Sequence, residues 1–397
     1  MRLVVALFYV AAVVAEHVRI DSLPISARVK LDGLEGSLVD RDRARFEVLF
    51  KRGDKKRAQS VALKNTAVHY TLTVGIGSPR TDYELLVDTG SAYTWLGAAK
   101  KYVRTRTSFK QPQTFYAVYG SGSAVGDHYK DLVTLSPSLS ITNKSFGVAS
   151  STNGMDGSYD GILGLGPTGL GKNVVTPSGG KLVPTVMDAL VAQKKITANV
   201  FGVSFMPTTT RGNANGEITL GGTNSARYTG KLNWVPITTK EPWNQYWGFE
   251  QSVKVGTIQG TSAGVVDTGT TLIYITPKAF KAYSDALPGS KIDNATKLLE
   301  IPKESVGKMQ SLFFAINGVS YEFTPNAQLW PRALNTALGG KADAYYSVIS
   351  ALTDFEADTG SNFINGYVFL QRFYSAYDAS KSRIGFATTS STYAIVN

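Results

Sequence analysis

Three places in this 397-residue chain carry Asp-Thr-Gly: Asp88-Thr89-Gly90, Asp267-Thr268-Gly269 and Asp358-Thr359-Gly360. An aspartate at the end of an apolar strand, followed by Thr-Gly, sits in a tight turn with hydrophobic walls, and glycine lets a second backbone approach closely there. Two such turns facing each other would share one site. Their carboxylates cannot both ionise cheaply at contact distance, so one proton is held between them and the two titration steps separate. The ionised member can take a proton from a water held between the pair as that water attacks a carbonyl. The protonated member donates toward the carbonyl oxygen, and a proton later reaches the leaving nitrogen. That chemistry is amide hydrolysis without metal, cofactor or covalent intermediate.

Only two of the three turns have the context it needs. Asp88 follows Leu85-Leu86-Val87 and Asp267 follows Gly264-Val265-Val266, both apolar. Asp358 follows Asp354-Phe355-Glu356-Ala357, a charged stretch that reads as a solvated loop, so it is expected to be a surface decoy. The pair also sits in a faint internal repeat. Each half carries a later apolar element ending in glycine, Ile162-Leu163-Gly164 in the first and Phe363-Ile364-Asn365-Gly366 in the second, and the halves meet near residue 230.

The elements that must position these turns read as strands. Short runs rich in Val, Ile, Thr, Tyr and Phe recur between Gly, Asn, Ser or Pro, for example at residues 70–76, 83–87, 132–135, 218–220 and 347–349. This predicts an all-β protein. Helices are predicted over residues 183–193 and 278–286, the second after Thr276-Pro277, a cap followed by a first-turn proline. Tyr119-Gly120-Ser121-Gly122 lies between two strand-like runs and reads as a hairpin tip.

Composition removes several other chemistries. The chain has no cysteine and three histidines, His17, His69 and His128, without metal-ligand spacing. Thiol catalysis, a histidine-based triad and a zinc site therefore lack material, which disfavours a serine or metallohydrolase. Gly164 to Gly169 matches a Gly-x-Gly-x-x-Gly, but Pro167 interrupts it and no alternating βαβ pattern surrounds it, so no dinucleotide site is expected. The net charge is +11; residues 1–57 hold 12 Lys or Arg against 8 Asp or Glu, a balance of +4 that leaves about +7 for the rest. Those cations are scattered, and nucleic-acid binding is not expected.

The N-terminal region differs from the remainder. Residues 3–14 are apolar, preceded by Arg2 and followed by small residues, which predicts a signal peptide over residues 1–15 rather than a membrane span. Residues 16–57 are charge-rich and end in Lys51-Arg52 and Lys55-Lys56-Arg57, where a processing protease would cut, so this segment is expected to be a propeptide. Within it, residues 23–30 could thread a cleft and set Arg28 or Lys30 against the paired carboxylates. The expected division is a signal peptide over 1–15, a propeptide over 16–57, a first lobe over 58–230 and a second over 231–397. Asn143-Lys144-Ser145 and Asn294-Ala295-Thr296 are glycosylation sequons on a chain expected to be secreted, with a vacuole as the alternative destination.

From the two apolar-run aspartates onward, residues 61–397 resemble the pepsin-like aspartic protease family, in particular its cysteine-free branch from basidiomycete, wood-rotting fungi. The resemblance implies a bilobal, mostly β fold with a few short helices and a cleft between two related lobes. Asp88 and Asp267 would then be the catalytic pair of an acid endopeptidase, with Thr89 and Thr268 bonding across the lobe junction. Ser91 and Thr270 would brace the outer carboxylate oxygens, and Trp95 would bond the tyrosine of a hairpin flap, Tyr119. Gly90, Tyr119, Gly120, Ser121, Gly269, Thr270 and Thr271 match positions that bind substrate. The implied partners are protein and peptide substrates and pepstatin-type inhibitors, acting on a monomer with no membrane anchor. Two departures stand out. Tyr367 replaces the acidic residue that usually follows the second-lobe glycine, and Ser121 stands where some fungal members carry an Asp that accepts a basic side chain before the cut. The second implies a preference for bulky apolar residues on both sides of the cut. A pepsin-like protein that binds a partner without cleaving it is the alternative.

Overall fold

The computed structural model describes residues 20–29, 37–51, 68–119, 122–155, 157–210, 212–352 and 362–397. The signal-peptide expectation, Lys30, the flap-tip residues Gly120 and Ser121, and the third motif at Asp358 lie outside the described residues.

Strands dominate, as the short β-rich runs predict. The first half builds β1 (Asp21–Val29), β2 (Val68–Ile76), β3 (Thr81–Asp88), β4 (Trp95–Leu96), β5 (Phe109–Tyr119), β6 (Gly122–Ser136), β7 (Leu139–Asn153) and β8 (Gly161–Gly164). These lie in a 14-stranded sheet in the order β1-β2-β3-β8-β4-β7-β6-β5, with Val175–Thr176 at that end. Beyond β1 the sheet continues through Gly212–Leu220, Val200–Ser204, Phe373–Asp378, Arg383–Thr388 and Thr229–Pro236. Strands from the C-terminal end of the chain thus pair directly with strands from its first half. A second, seven-stranded sheet is built from residues of the second half.

The internal repeat is visible in the pairing. β3 runs parallel to β8, with Asp88 opposite Gly164, and β8 runs antiparallel to β4. In the second half Ile258–Val266 runs parallel to Asn362–Asn365, which is antiparallel to Ile273–Ile275. The glycine ending each apolar element is required by close approach. A Cβ at Gly164 would lie 2.5 Å from the Ala92 carbonyl carbon, and one at Gly366 would lie 2.3 Å from the Leu272 oxygen. Both glycines let the aspartate-bearing loop fold back onto the strand beside it.

The two predicted helices form as Val186–Ala192 and Pro277–Asp285, capped by Thr185 and Thr276. Residues 347–349 only partly follow expectation: Ser347 makes a single bridge to Leu329 and the strand begins at Ile349. A helix that composition obscured is α1 (Leu38–Lys51). Ser37 and Asp40 close a capping box at its start: the Ser37 hydroxyl accepts from the Asp40 amide at 3.2 Å, and the Asp40 carboxylate accepts from the Ser37 amide at 3.0 Å. Leu38, Val39, Phe46 and Leu49 are buried, although most of the other positions are charged.

Candidate active site

β3 ends at Asp88, and the Ile258–Val266 strand leads directly to Asp267; both are at most 1 % exposed. Each carboxylate is held in the same way. The Gly90 amide donates to Asp88 Oδ1 at 2.9 Å, and the Ser91 hydroxyl donates to Asp88 Oδ2 at 2.5 Å. The Gly269 amide donates to Asp267 Oδ1 at 3.1 Å, and the Thr270 hydroxyl donates to Asp267 Oδ2 at 2.6 Å. One oxygen of each carboxylate is therefore braced by a hydroxyl and the other by a backbone amide.

The loops are locked across the junction between the halves. The Thr89 amide donates to Thr268 Oγ1 and the Thr268 amide donates to Thr89 Oγ1, both at 3.0 Å. Thr268 Oγ1 also donates to the Val87 carbonyl at 2.8 Å. All of these groups are buried, so leaving any of them unpaired would cost about 1–3 kcal/mol.

β5 and β6 form the predicted hairpin, with Tyr119 opposite Gly122. Trp95 Nε1 donates to the Tyr119 hydroxyl at 2.7 Å, and both rings join a buried cluster with Phe115. Asn143 and Asn294, the sequon asparagines, are both exposed; Asn143 has φ of 50° in β7, and the Thr296 hydroxyl donates to Asp293.

The residue that sequence reasoning missed is Arg45. Its Nε donates to Asp267 Oδ2 at 2.6 Å, and one terminal nitrogen donates to Asp88 Oδ1 at 2.5 Å and to Asp267 Oδ1 at 2.8 Å. One guanidinium thus bridges both carboxylates with geometry that a single ammonium does not match. Burial pushes the Asp267 carboxyl up, but Arg45, with the Thr270 hydroxyl and the Gly269 amide, outweighs it and holds the group below the usual carboxylate range. Burial likewise disfavours the charged guanidinium, and the two aspartates more than restore it.

This corrects the expectation that the segment threads the cleft with Arg28 against the carboxylates. β1 does not thread the site: it is a strand between β2 and Gly212–Leu220, with Arg28 opposite His69 and Gly212. Its backbone is committed to the sheet, so the cation comes from the following helix. One turn before Arg45, Asp42 is buried and accepts from the Thr271 amide at 3.0 Å and the Leu272 amide at 2.9 Å. Burial pushes its carboxyl up to about 6, against the pull of those amides, Arg41 and the Tyr274 hydroxyl. A Ser-x-x-Asp cap followed by Leu38, Phe46 and Leu49 on one helical face was the available signal for α1, but nothing in the sequence singled out Arg45 from Arg41 and Arg43.

Among the described residues no group of three or more His, Cys, Asp or Glu is placed to hold a metal, and no helix is long and apolar enough to cross a membrane.

Comparison with known proteins places the geometry in a family. The family model for eukaryotic aspartyl proteases matches residues 69–389. The chain is 47% identical over 343 residues to polyporopepsin of Irpex lacteus, covering 86% of this chain and 100% of that protein. It is 28% identical over 340 residues to cathepsin E of Rattus norvegicus, covering 81% and 80%. Gastricsin of Homo sapiens is 29% identical over 335 residues, covering 79% and 80%. The crystal structure of the aspartic proteinase from Irpex lacteus superposes with a TM-score of 0.81 at 41% identity, over 96% of this chain and 100% of that one.

Proposed function

The chain belongs to the eukaryotic aspartyl protease family and is an aspartic endopeptidase of bilobal, mostly β fold, and from that premise we propose how its residues divide the work. Asp88 and Asp267 are the catalytic pair. The observation that carries this assignment is that two equivalent loops present two buried carboxylates to one shared nitrogen of Arg45. A water in the place of that nitrogen would be within reach of both carboxylates. The ionised aspartate takes its proton as it attacks the peptide carbonyl, and the protonated one donates to the carbonyl oxygen. Thr89 and Thr268 hold the loops together, and Ser91 and Thr270 fix the outer oxygens. Gly90, Gly269, Thr270 and Thr271 line the path of the substrate backbone, with Tyr119, Gly120 and Ser121 of the flap closing over it and Trp95 positioning Tyr119.

Residues 16–57 act as a propeptide, following a signal peptide over 1–15, and the enzyme is secreted as a latent precursor. α1 supports this reading, because it occupies the cleft with Arg45 on both carboxylates and Asp42 on the Thr271 and Leu272 amides. Removal of the segment leaves the lobes 58–230 and 231–397 as the active monomer. Asn143 and Asn294 carry the glycans. The non-catalytic alternative has no support.

The experiment is cleavage of matched Phe-Phe and Lys-Phe peptides by the acid-activated enzyme, with and without pepstatin. Acid-pH activity that pepstatin abolishes, with Phe-Phe cut faster, is expected. Pepstatin-resistant cleavage would refute the mechanism, and faster cutting at Lys would refute the preference assigned to Ser121.

A further inference from the structure

The fold concentrates positive charge on one face of the first half. No Asp or Glu occurs between Asp88 and Asp127, and that stretch carries Lys100, Lys101, Arg104, Arg106 and Lys110. The loop holding the first four is fastened to the turn between β2 and β3 and to β3 itself. The Ser78 amide donates to Thr105 Oγ1 and Thr107 Oγ1, both at 3.1 Å, and the Val103 amide donates to the Tyr83 hydroxyl at 2.9 Å. Lys100, Lys101, Arg104 and Arg106 are exposed, and among the described residues each is positioned by a neutral group rather than a carboxylate. Lys100 Nζ donates to the Asp82 carbonyl at 2.7 Å, and Lys101 Nζ donates to the Gly97 carbonyl at 3.2 Å. The Arg104 guanidinium lies 6.0 Å over the Tyr129 ring, and Arg106 donates to the Ser78 hydroxyl at 3.0 Å. The neighbouring acids have other partners. Asp82 pairs with Arg80 and Asp127 with Lys110, Asp131 accepts from the Tyr102 and Ser108 hydroxyls, and Asp160 accepts from the Glu84 and Lys100 amides. Val103 and Phe109, beside these cations in the chain, are 48% and 55% exposed.

We propose that this surface binds a phosphorylated segment of a protein substrate, away from the scissile bond. Four cations held in place without counter-charges suit a ligand of concentrated negative charge, and two guanidiniums match the oxygens of a phosphate. Acid favours phosphate over a run of Asp and Glu. Those carboxyls lose their charge at about 3.9 and 4.3, whereas a phosphate monoester, with a second pKa of about 6, keeps one negative charge below it. The proposal therefore rests on the reading of the enzyme as active in acid. Val103 and Phe109 favour a peptide over a polysaccharide, because they set apolar side chains among the cations. Position agrees. Lys100 is anchored at Asp82, six residues before Asp88 on β3, which sets the surface about 20 Å from the chemistry. About six residues of extended substrate cover the same distance.

The test uses the full chain, activated by acid, and peptides with a fixed Phe-Phe cleavage pair. A pair of serines or of phosphoserines is placed about six residues to one side of the cut or to the other, and kcat and KM are measured in acid. The phosphorylated peptide is expected to be preferred on the order of tenfold on one side, through KM rather than kcat. That preference should shrink as salt rises from about 0.02 M to about 0.2 M. In Arg104→Gln/Arg106→Gln it should fall near one, while the serine peptide is cut as by the wild type. Should that variant fail to accumulate, Lys100→Gln/Lys101→Gln decides, with a preference below that of the wild type. No preference on either side, a preference that the variants keep, or one carried by kcat alone overturns the proposal. Retention of the wild type but not the variant on sulfated dextran, together with a flat peptide series, assigns the surface to a polysaccharide and equally overturns it. A serine peptide left uncut in acid defeats the acid-active reading, whereas a serine peptide cut as fast as its phosphorylated form defeats this proposal alone.

Discussion

At the scale of single residues, two aspartates respond to α1 in opposite directions. While α1 is docked, Asp267 is held below its ordinary 3.8. The Arg45 pairing therefore contributes its full stabilisation above 3.8 and loses it as the pH falls through the depressed pKa. Asp42 is raised to about 6. Between about 6 and 3.8 the docked helix takes up a proton that a free helix does not, and this uptake favours docking as the pH falls. The two signs together predict a precursor that stays latent at roughly pH 5 and opens only in stronger acid. Following peptide cleavage during stepwise acidification checks this, and release centred near pH 6 would contradict it. Replacing Arg45 removes the pairing itself. Arg45→Ala should weaken docking by on the order of 10²-fold, about 3 kcal/mol, and give a precursor that cleaves peptide without the strong-acid step. A precursor as latent as the wild type would show that α1 blocks by bulk alone. Asp88 and Asp267 were legible in the sequence because an apolar run precedes each. Arg45 was not, because its partners lie 43 and 222 residues away and no local pattern marks them.

At the scale of elements, the strand–loop–strand unit that holds each aspartate depends on a glycine where two backbones meet. Gly366→Ala would set a Cβ against the Leu272 and Thr270 oxygens, at 2.3 and 2.7 Å, neither of which is a flexible side-chain end. The expected cost is about 1–3 kcal/mol, read as a lowered midpoint in urea denaturation; an unchanged midpoint would mean the loop relaxes freely. The Ile-Leu-Gly and Ile-Asn-Gly elements were recognisable as a repeat, and their parallel pairing explains why both end in glycine. β1 and α1 were harder to read. The Leu23, Ile25 and Ala27 alternation of β1 is short and interrupted by Pro24, and the charges of α1 resemble a solvated stretch. In the fold those charges divide: Glu47 is exposed, Asp40 and Arg43 are half-buried, Arg41 is buried, and Asp42 and Arg45 reach the loop that carries Asp267. β1 fills an interior place in the large sheet, with hydrogen-bonded neighbours on both sides. A chain lacking residues 21–51 should consequently refold in much lower yield than the full precursor, and equal recovery from denaturant would contradict that role.

At the scale of the whole molecule, the site exists only where the two halves meet. The Thr89 and Thr268 exchange and the pairing of Phe373–Asp378 with Val200–Ser204 fix one half against the other. Cysteine-free construction is compatible with this, because a chain of this length buries enough apolar surface to dispense with disulfides. The duplication was visible in sequence, whereas the relation between the halves was not, since it rests on long-range pairing and on hydroxyl-to-amide bonds that any Thr could make. The central claim is that one aspartate from each half is needed and that the third Asp-Thr-Gly is not. The most direct measurement is kcat/KM on one Phe-Phe peptide for activated Asp88→Asn, Asp267→Asn and Asp358→Asn. Losses of at least ~10²-fold are predicted for each of the first two, with the third close to wild type. Substantial activity in either of the first two variants, or a comparable loss in the third, would contradict the assignment.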